Sequence, residues 1–89
     1  MSPEAKLAKE TGLSEEFILS AAKSIANSLA KDFGSAQEAA EAIRADVAGD
    51  LTKAYVERNR REVRAMATRA LTNPEPMCKA VYNLIRGNA

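Results

Sequence analysis

The 89-residue sequence contains no histidine and only one cysteine. Without histidine there can be no Ser-His-Asp or Cys-His catalytic group and no histidine-based metal site. The lone cysteine, Cys78, has no partner for an intramolecular disulfide, so the hydrophobic core must hold the fold. This usage is typical of a reducing compartment.

Membrane and export signals are also missing from the sequence. No stretch approaches the ~18 to 20 apolar residues that a transmembrane helix requires. The first residues show no basic segment followed by an apolar one, which is the pattern of a secretory signal. We therefore expect a cytoplasmic protein.

The motifs of common enzyme classes are absent as well. The sequence has no G-x-x-x-x-G-K or G-x-G-x-x-G loop, no cysteine pair and no H-E-x-x-H. Its carboxylate pairs, such as Glu15 with Glu16, fall in first helical turns, where they stabilise the helix dipole. Aromatic residues make up only 4% of the chain, which leaves little material to line a substrate pocket. We expect no enzymatic activity, no cofactor, no metal and no small-molecule substrate.

The residues that are plentiful indicate helices. Alanine accounts for 18 positions, while only four glycines and three prolines interrupt the chain. Serines at 2, 14 and 35 stand where helix N-caps are expected, and Gly12 and Gly34 stand where helices should end. These signals predict an all-α fold, a compact bundle of about five helices in a single domain over 1–89. The predicted helices cover 3–11, 14–33, 35–48, 51–72 and 74–86.

The apolar stripe of the predicted third helix rotates away from that of the fourth. The third stripe runs from Ala36 to Val47, and the fourth carries Tyr55 with Asn59 near its middle. Gly49 stands where the direction changes, so we place a kink or break there. One continuous kinked helix is the alternative. A buried Asn59 amide either sets helix register or faces a partner.

Charge is divided unevenly between the two halves of the chain. Residues 1–50 carry five basic and nine acidic side chains, whereas residues 51–89 carry eight basic and three acidic ones. An arginine-rich face of the fourth helix could bind phosphates or an acidic protein surface, since guanidinium groups suit both. Pairs four residues apart, such as Glu57 with Arg61, equally fit an ordinary solvated helix face. The candidate partner-binding residues are Lys53, Arg58, Arg60, Arg61, Arg64 and Arg69.

Residues 6–25 resemble a helix-turn-helix motif. Ala8 lies in the first helix, Gly12 in the turn, and Ile18 faces inward from the second helix. This resemblance implies DNA binding by the second helix. That helix, however, begins with Glu15 and Glu16, which would repel phosphates, and the same letters also describe two ordinary capped helices.

The sequence favours a small non-enzymatic interaction module or inhibitor over the other classes. Such a module would bind another protein with an acidic surface, or itself, through charged helix faces. Phages and mobile elements encode many small regulators of this general kind. The alternative is a DNA- or RNA-binding regulator that uses residues 6–25 or the arginine-rich helix 58–69.

Overall fold

The computed structural model describes residues 2–59, 61, 64 and 72–88. Within those ranges the chain is all-α, as the sequence predicts, and contains no strand. The helices whose bounds fall within the described ranges are α1 (Pro3–Thr11), α2 (Glu15–Asp32), α3 (Ala36–Ala45), α4 (Asp50–Arg58) and α5 (Glu75–Asn88), and Arg64 is also helical. None of the helices in the described part is long and apolar enough to cross a membrane.

The predicted helix starts are confirmed by hydrogen bonds. Ser2 Oγ accepts from the amide of Ala5 at 3.1 Å. The hydroxyls of Ser14 and Ser35 accept in the same way from the amides three residues later, at 3.2 and 3.1 Å. Each bond satisfies one of the amides that a helix leaves unpaired at its beginning.

Helix α2 forms the centre of the bundle and packs against the other four helices. Helical spacing predicts one apolar stripe made of Ile18, Ala22, Ile25, Leu29 and Phe33. The first four have no exposed surface, whereas Phe33 follows the helix as its C-cap and is half-buried. Helix α5 covers α1, α2 and α3. Among the described residues, the buried hydrophobic core includes Leu7, Ile18, Ala21, Ala22, Ile25, Ala26, Leu29, Ala39, Ile43, Tyr55, Val56, Met77, Ala80, Val81 and Ile85.

The third helix is shorter than predicted, and this reverses the expectation for Val47. The helix ends at Ala45 instead of residue 48, and Asp46 leaves helical geometry with φ −86° and ψ 73°. A residue keeps its place on a helical stripe only while the helix continues. Val47 therefore turns outward and is 98% exposed. The break predicted near Gly49 is confirmed, and α3 and α4 are separate helices.

The fourth helix also ends early, at Arg58 instead of residue 72. Asn59 closes it: its backbone amide donates to the carbonyl of Tyr55 at 3.0 Å, and its side-chain Nδ2 donates to the same oxygen at 2.8 Å. Helical spacing over 51–72 also predicts Val63, Met66, Ala67 and Ala70 on the apolar side of this helix, and these four positions lie outside the described residues. The last helix continues through Gly87 to Asn88, two residues beyond its predicted end.

Candidate functional site

A wide, open groove of about 1070 Å³ runs between the α3–α4 loop and helix α5. Val47 and Gly49 contribute the loop side, and Cys78, Tyr82 and Arg86 contribute the α5 side. Pro3 places the start of α1 at its edge. The groove therefore lies where three separate segments of the chain meet.

Asp46 gives the loop side of the groove a defined shape. Its backbone ends α3, while its carboxylate reaches forward to the beginning of α4. Oδ1 accepts from the amide of Asp50 at 3.1 Å, and Oδ2 accepts from the amide of Leu51 at 2.8 Å. Gly49 occupies the N-cap position of α4 but has no side chain that could act as a cap. Asp46, three residues before Gly49, supplies the capping carboxylate instead.

The groove is lined by apolar as well as polar side chains. Ile43 is buried at its base, Tyr82 is half-buried beside it, and Val47 stands almost fully exposed on the loop. Burying a valine side chain is worth roughly 1.5–3 kcal/mol relative to leaving it in water. The exposed Val47 thus offers a contact that the folded chain itself leaves unused.

Only some of the charged side chains that line the groove have partners within the described structure. Glu75 Oε1 and Lys79 Nζ form an ion pair at 3.1 Å, and the lysine lowers the pKa of that carboxyl. The carboxylate of Asp46 already accepts two backbone amides. Arg44 and Arg86 are exposed and make no ion pair with any residue that the structure describes. The groove consequently presents two uncompensated guanidinium groups.

Cys78 lies in the groove but is poorly suited to act as a nucleophile. Burial raises the pKa of its thiol, and this outweighs the lowering effect of the Thr52 hydroxyl. A raised pKa reduces the thiolate fraction, which is the reactive form. The half-buried Cys78 is therefore best described as part of the groove wall.

Of the six predicted partner-binding residues, the structure describes four. Arg61 and Arg64 are exposed, Lys53 is half-buried, and Arg58 is exposed at the last turn of α4. Arg60 and Arg69 lie outside the described residues. None of the four lines the groove.

Arg58 already has a partner within the chain. Its Nη1 donates to Oδ2 of Asp32, and its Cζ lies 5.7 Å from the centroid of the Tyr55 ring. The Tyr55 hydroxyl donates to the same Asp32 oxygen at 2.7 Å. Two hydrogen bonds lower the pKa of the Asp32 carboxyl, and the bond from Tyr55 has a larger effect than the bond from Arg58. Burial is the main cause that raises the pKa of Tyr55, and the hydrogen bond to Asp32 raises it further.

The segment that resembles a helix-turn-helix has the predicted turn but an inward-facing second helix. Gly12 adopts φ +74°, and its amide donates to the carbonyl of Ala8 at 2.8 Å. Helix α2 is the most enclosed helix of the bundle, and its exposed start consists of Glu15 and Glu16. The end that this motif would present to DNA therefore carries negative charge.

No group of three or more acidic or cysteine side chains within the described residues is placed to hold a metal ion. The chain matches no model of a known protein family, and no curated protein or solved structure is significantly similar to it.

The groove residues were not among the residues predicted from the sequence. The sequence pattern was misleading for Val47, because its position on an apolar stripe predicted a buried side chain and the structure exposes it. Arg44 and Arg86 are isolated cations in the sequence, and nothing local indicates that they lie beside one groove. The exposed Val47 could have been anticipated only by ending α3 at Asp46, a residue that favours helix ends over helix interiors.

Proposed function

We propose that this protein is a small non-enzymatic interaction module, of the inhibitor or regulator type, that binds a partner protein. The observation that carries the proposal is the groove between the α3–α4 loop and α5. There an almost fully exposed valine stands among arginines that lack ion-pair partners in the described structure.

The residue types in the groove are those of a protein interface. Arginine and tyrosine are enriched in such interfaces, and apolar contacts occupy their centres. Arg44, Arg86 and Tyr82 surround the groove, and Val47 projects from its loop. A concave surface that combines these groups can hold a side chain of a partner and exclude water from the contact.

A protein partner fits this surface better than nucleic acid does. Val47 and Ile43 offer nothing to a phosphate, and Glu75 adds a carboxylate to the same groove. Phosphate contacts supply most of the non-specific affinity for nucleic acid and need a dense set of cations. The paired Glu75 and Lys79 reduce the positive charge that is available here.

The exposure of Arg61 and Arg64 favours a second candidate function, which is DNA or RNA binding through the arginine-rich segment after α4. Such binding would weaken steeply as salt rises, since each neutralised phosphate releases counterions. The affinity of an Arg61→Ala/Arg64→Ala variant for random duplex DNA, measured between about 50 and 200 mM salt, tests this candidate. Unchanged affinity in the variant would eliminate it.

Affinity capture from the cells that produce the protein tests the main proposal. The bait is the tagged wild-type chain, alongside Val47→Asp and a control, Asn27→Asp, which adds the same charge at an exposed position on α2 outside the groove. We expect one protein to be retained by the wild type and the control and lost with Val47→Asp. Equal capture by all three baits, or capture of only salt-sensitive nucleic acid, would contradict the proposal.

A further inference from the structure

We propose that the groove binds an acidic segment of the partner protein, in which one apolar side chain packs on Val47 and flanking carboxylates pair with Arg44 and Arg86. This inference rests on the proposed function and specifies the chemistry of the partner. It follows from the exposed Val47, the balance of charge in the groove and the contacts that hold its loop in place.

The exposed Val47 favours an apolar side chain on the partner. Val47 is 98% exposed, and Ile43 lies buried beneath the same groove. A purely polar segment would leave the valine contact unused and would gain only exposed ion pairs, which are individually weak. An aliphatic or aromatic side chain that packs on Val47 would remove apolar surface of both partners from water.

The balance of charge requires carboxylates beside that side chain. Both acidic groups of the groove are occupied, Asp46 by two backbone amides and Glu75 by Lys79. Arg44 and Arg86 are left without an ion-pair partner among the residues described. Guanidinium binds carboxylate through paired, charge-assisted hydrogen bonds, so acidic residues on the incoming segment are the complementary groups.

The groove is shaped before any partner arrives. The carboxylate of Asp46 fixes the loop to the start of α4, and Gly49 is buried against α5. A preformed surface loses little conformational freedom on binding. Its open form, with a volume of about 1070 Å³, leaves room for a length of polypeptide.

Selection from a displayed library of random peptides tests the inference directly. Wild-type protein is the immobilised target, and enriched peptides are synthesised and titrated against it. We expect enriched sequences with net negative charge and an apolar residue flanked by Asp or Glu. Enrichment of basic or neutral peptides, or no enrichment at all, would overturn the inference.

Three variants link the selected peptides to the groove. Val47→Asp should weaken their binding at least about tenfold, the loss expected when one buried aliphatic contact is removed. Arg44→Glu/Arg86→Glu should select basic peptides in place of acidic ones, which a merely structural defect would not produce. The control Lys9→Glu/Lys23→Glu makes the same change in net charge at exposed positions outside the groove and should behave as wild type.

The folded state of each variant is checked by its thermal unfolding transition. If Arg44→Glu/Arg86→Glu does not fold, Arg44→Gln/Arg86→Gln replaces it and should lose the acidic peptides. Peptide binding that survives both the valine and the arginine variants would overturn the inference.

A duplex DNA probe is titrated in parallel. Duplex binding that depends on Arg44 and Arg86 and excludes the peptides would also overturn the inference. Failure of the peptide selection leaves the cellular capture experiment intact, so the two proposals fail separately.

Discussion

Gly49 lies directly against the ring of Pro74. A Cβ atom at Gly49 would come within 2.7 Å of Cγ and 3.1 Å of Cβ of Pro74, and within 3.4 Å of the Cys78 sulfur. This contact joins the α3–α4 loop to the start of α5, the two sides of the groove. The position also has φ +74°, a backbone conformation that residues with a side chain adopt at a cost.

Gly49→Ala should therefore destabilise the fold through two independent effects. The left-handed backbone costs about 1–2 kcal/mol for a residue with a Cβ, and overpacking against the rigid proline ring adds about 1–3 kcal/mol. We expect a total loss of about 2–5 kcal/mol in the free energy of unfolding, measured by urea denaturation. Gly87→Ala is the matched control, because its Cβ would meet nothing within 4 Å and its backbone is helical. That variant should be neutral or slightly stabilising.

Asp46→Ala should lower the free energy of unfolding by about 1–2 kcal/mol, because it removes the cap of α4 and leaves two backbone amides without their acceptor. Asp46→Asn keeps one side-chain oxygen as an acceptor, so its loss in the free energy of unfolding should be smaller. Asp50→Ala, which removes a carboxylate that only interacts with the helix dipole, should cost less than Asp46→Ala. Equal losses for Asp46→Ala and Asp50→Ala in thermal unfolding would argue against the capping role.

Tyr55→Phe should make stability less dependent on pH in the acid range. The Asp32 carboxyl has a lowered pKa in the folded protein, chiefly because it accepts from Tyr55. Its contribution is therefore complete above the ordinary carboxyl pKa of about 4 and is lost as the pH falls through the lowered value. Urea unfolding is measured from about pH 7 to about pH 3. The difference in the free energy of unfolding between wild type and variant should become smaller as the pH falls. A gap that stays constant across this range would show that the Asp32 bond does not contribute.

Thr52→Val should raise the stability of the protein. The Thr52 hydroxyl is fully buried; its interaction with the Cys78 thiol, a weak hydrogen-bonding group, falls short of standard geometry, and it has no other hydrogen-bond partner in the described structure. A buried unpaired polar group costs about 1–3 kcal/mol, and valine has nearly the same shape. We expect a gain of about 1 kcal/mol in the free energy of unfolding, whereas Thr52→Ser, which keeps the hydroxyl and loses a methyl group, should be destabilised. A destabilised Thr52→Val would mean that the hydroxyl has a favourable partner.

The helix starts were predictable because their signals are local. A serine such as Ser14 caps the helix that begins one residue later, and both the donor and the acceptor lie within four positions of each other. The stripe of α2 was predictable for a similar reason. Once the helix exists, Ile18, Ile25 and Leu29 must lie on one side of it.

The ends of α3 and α4 were not predictable from the same rules. The carboxylate of Asp46 binds amides of the following helix, and Asn59 closes α4 with two bonds to Tyr55. Both residues could also have continued a helix at a modest propensity cost. The outcome depends on hydrogen bonds that form only after the neighbouring backbone has turned.

The pairing of Arg58 could not be predicted from the sequence either. In the sequence it belongs to a run of arginines available to a partner, but in the fold it pairs with Asp32, 26 positions earlier. That pairing requires the end of α2 to lie beside the end of α4. Helical spacing predicts neighbours three or four residues apart and contains no information on such long-range contacts.

Composition and local signals thus determined that the chain is helical, where most helices begin and which face of α2 is buried, since each of these depends on interactions within a few residues. Tertiary packing alone decided that Arg44 and Arg86 would border one groove and that Arg58 would be paired within the chain. The physical reason is that a surface is formed by residues distant in sequence, and their positions follow from how the helices pack and where each one ends.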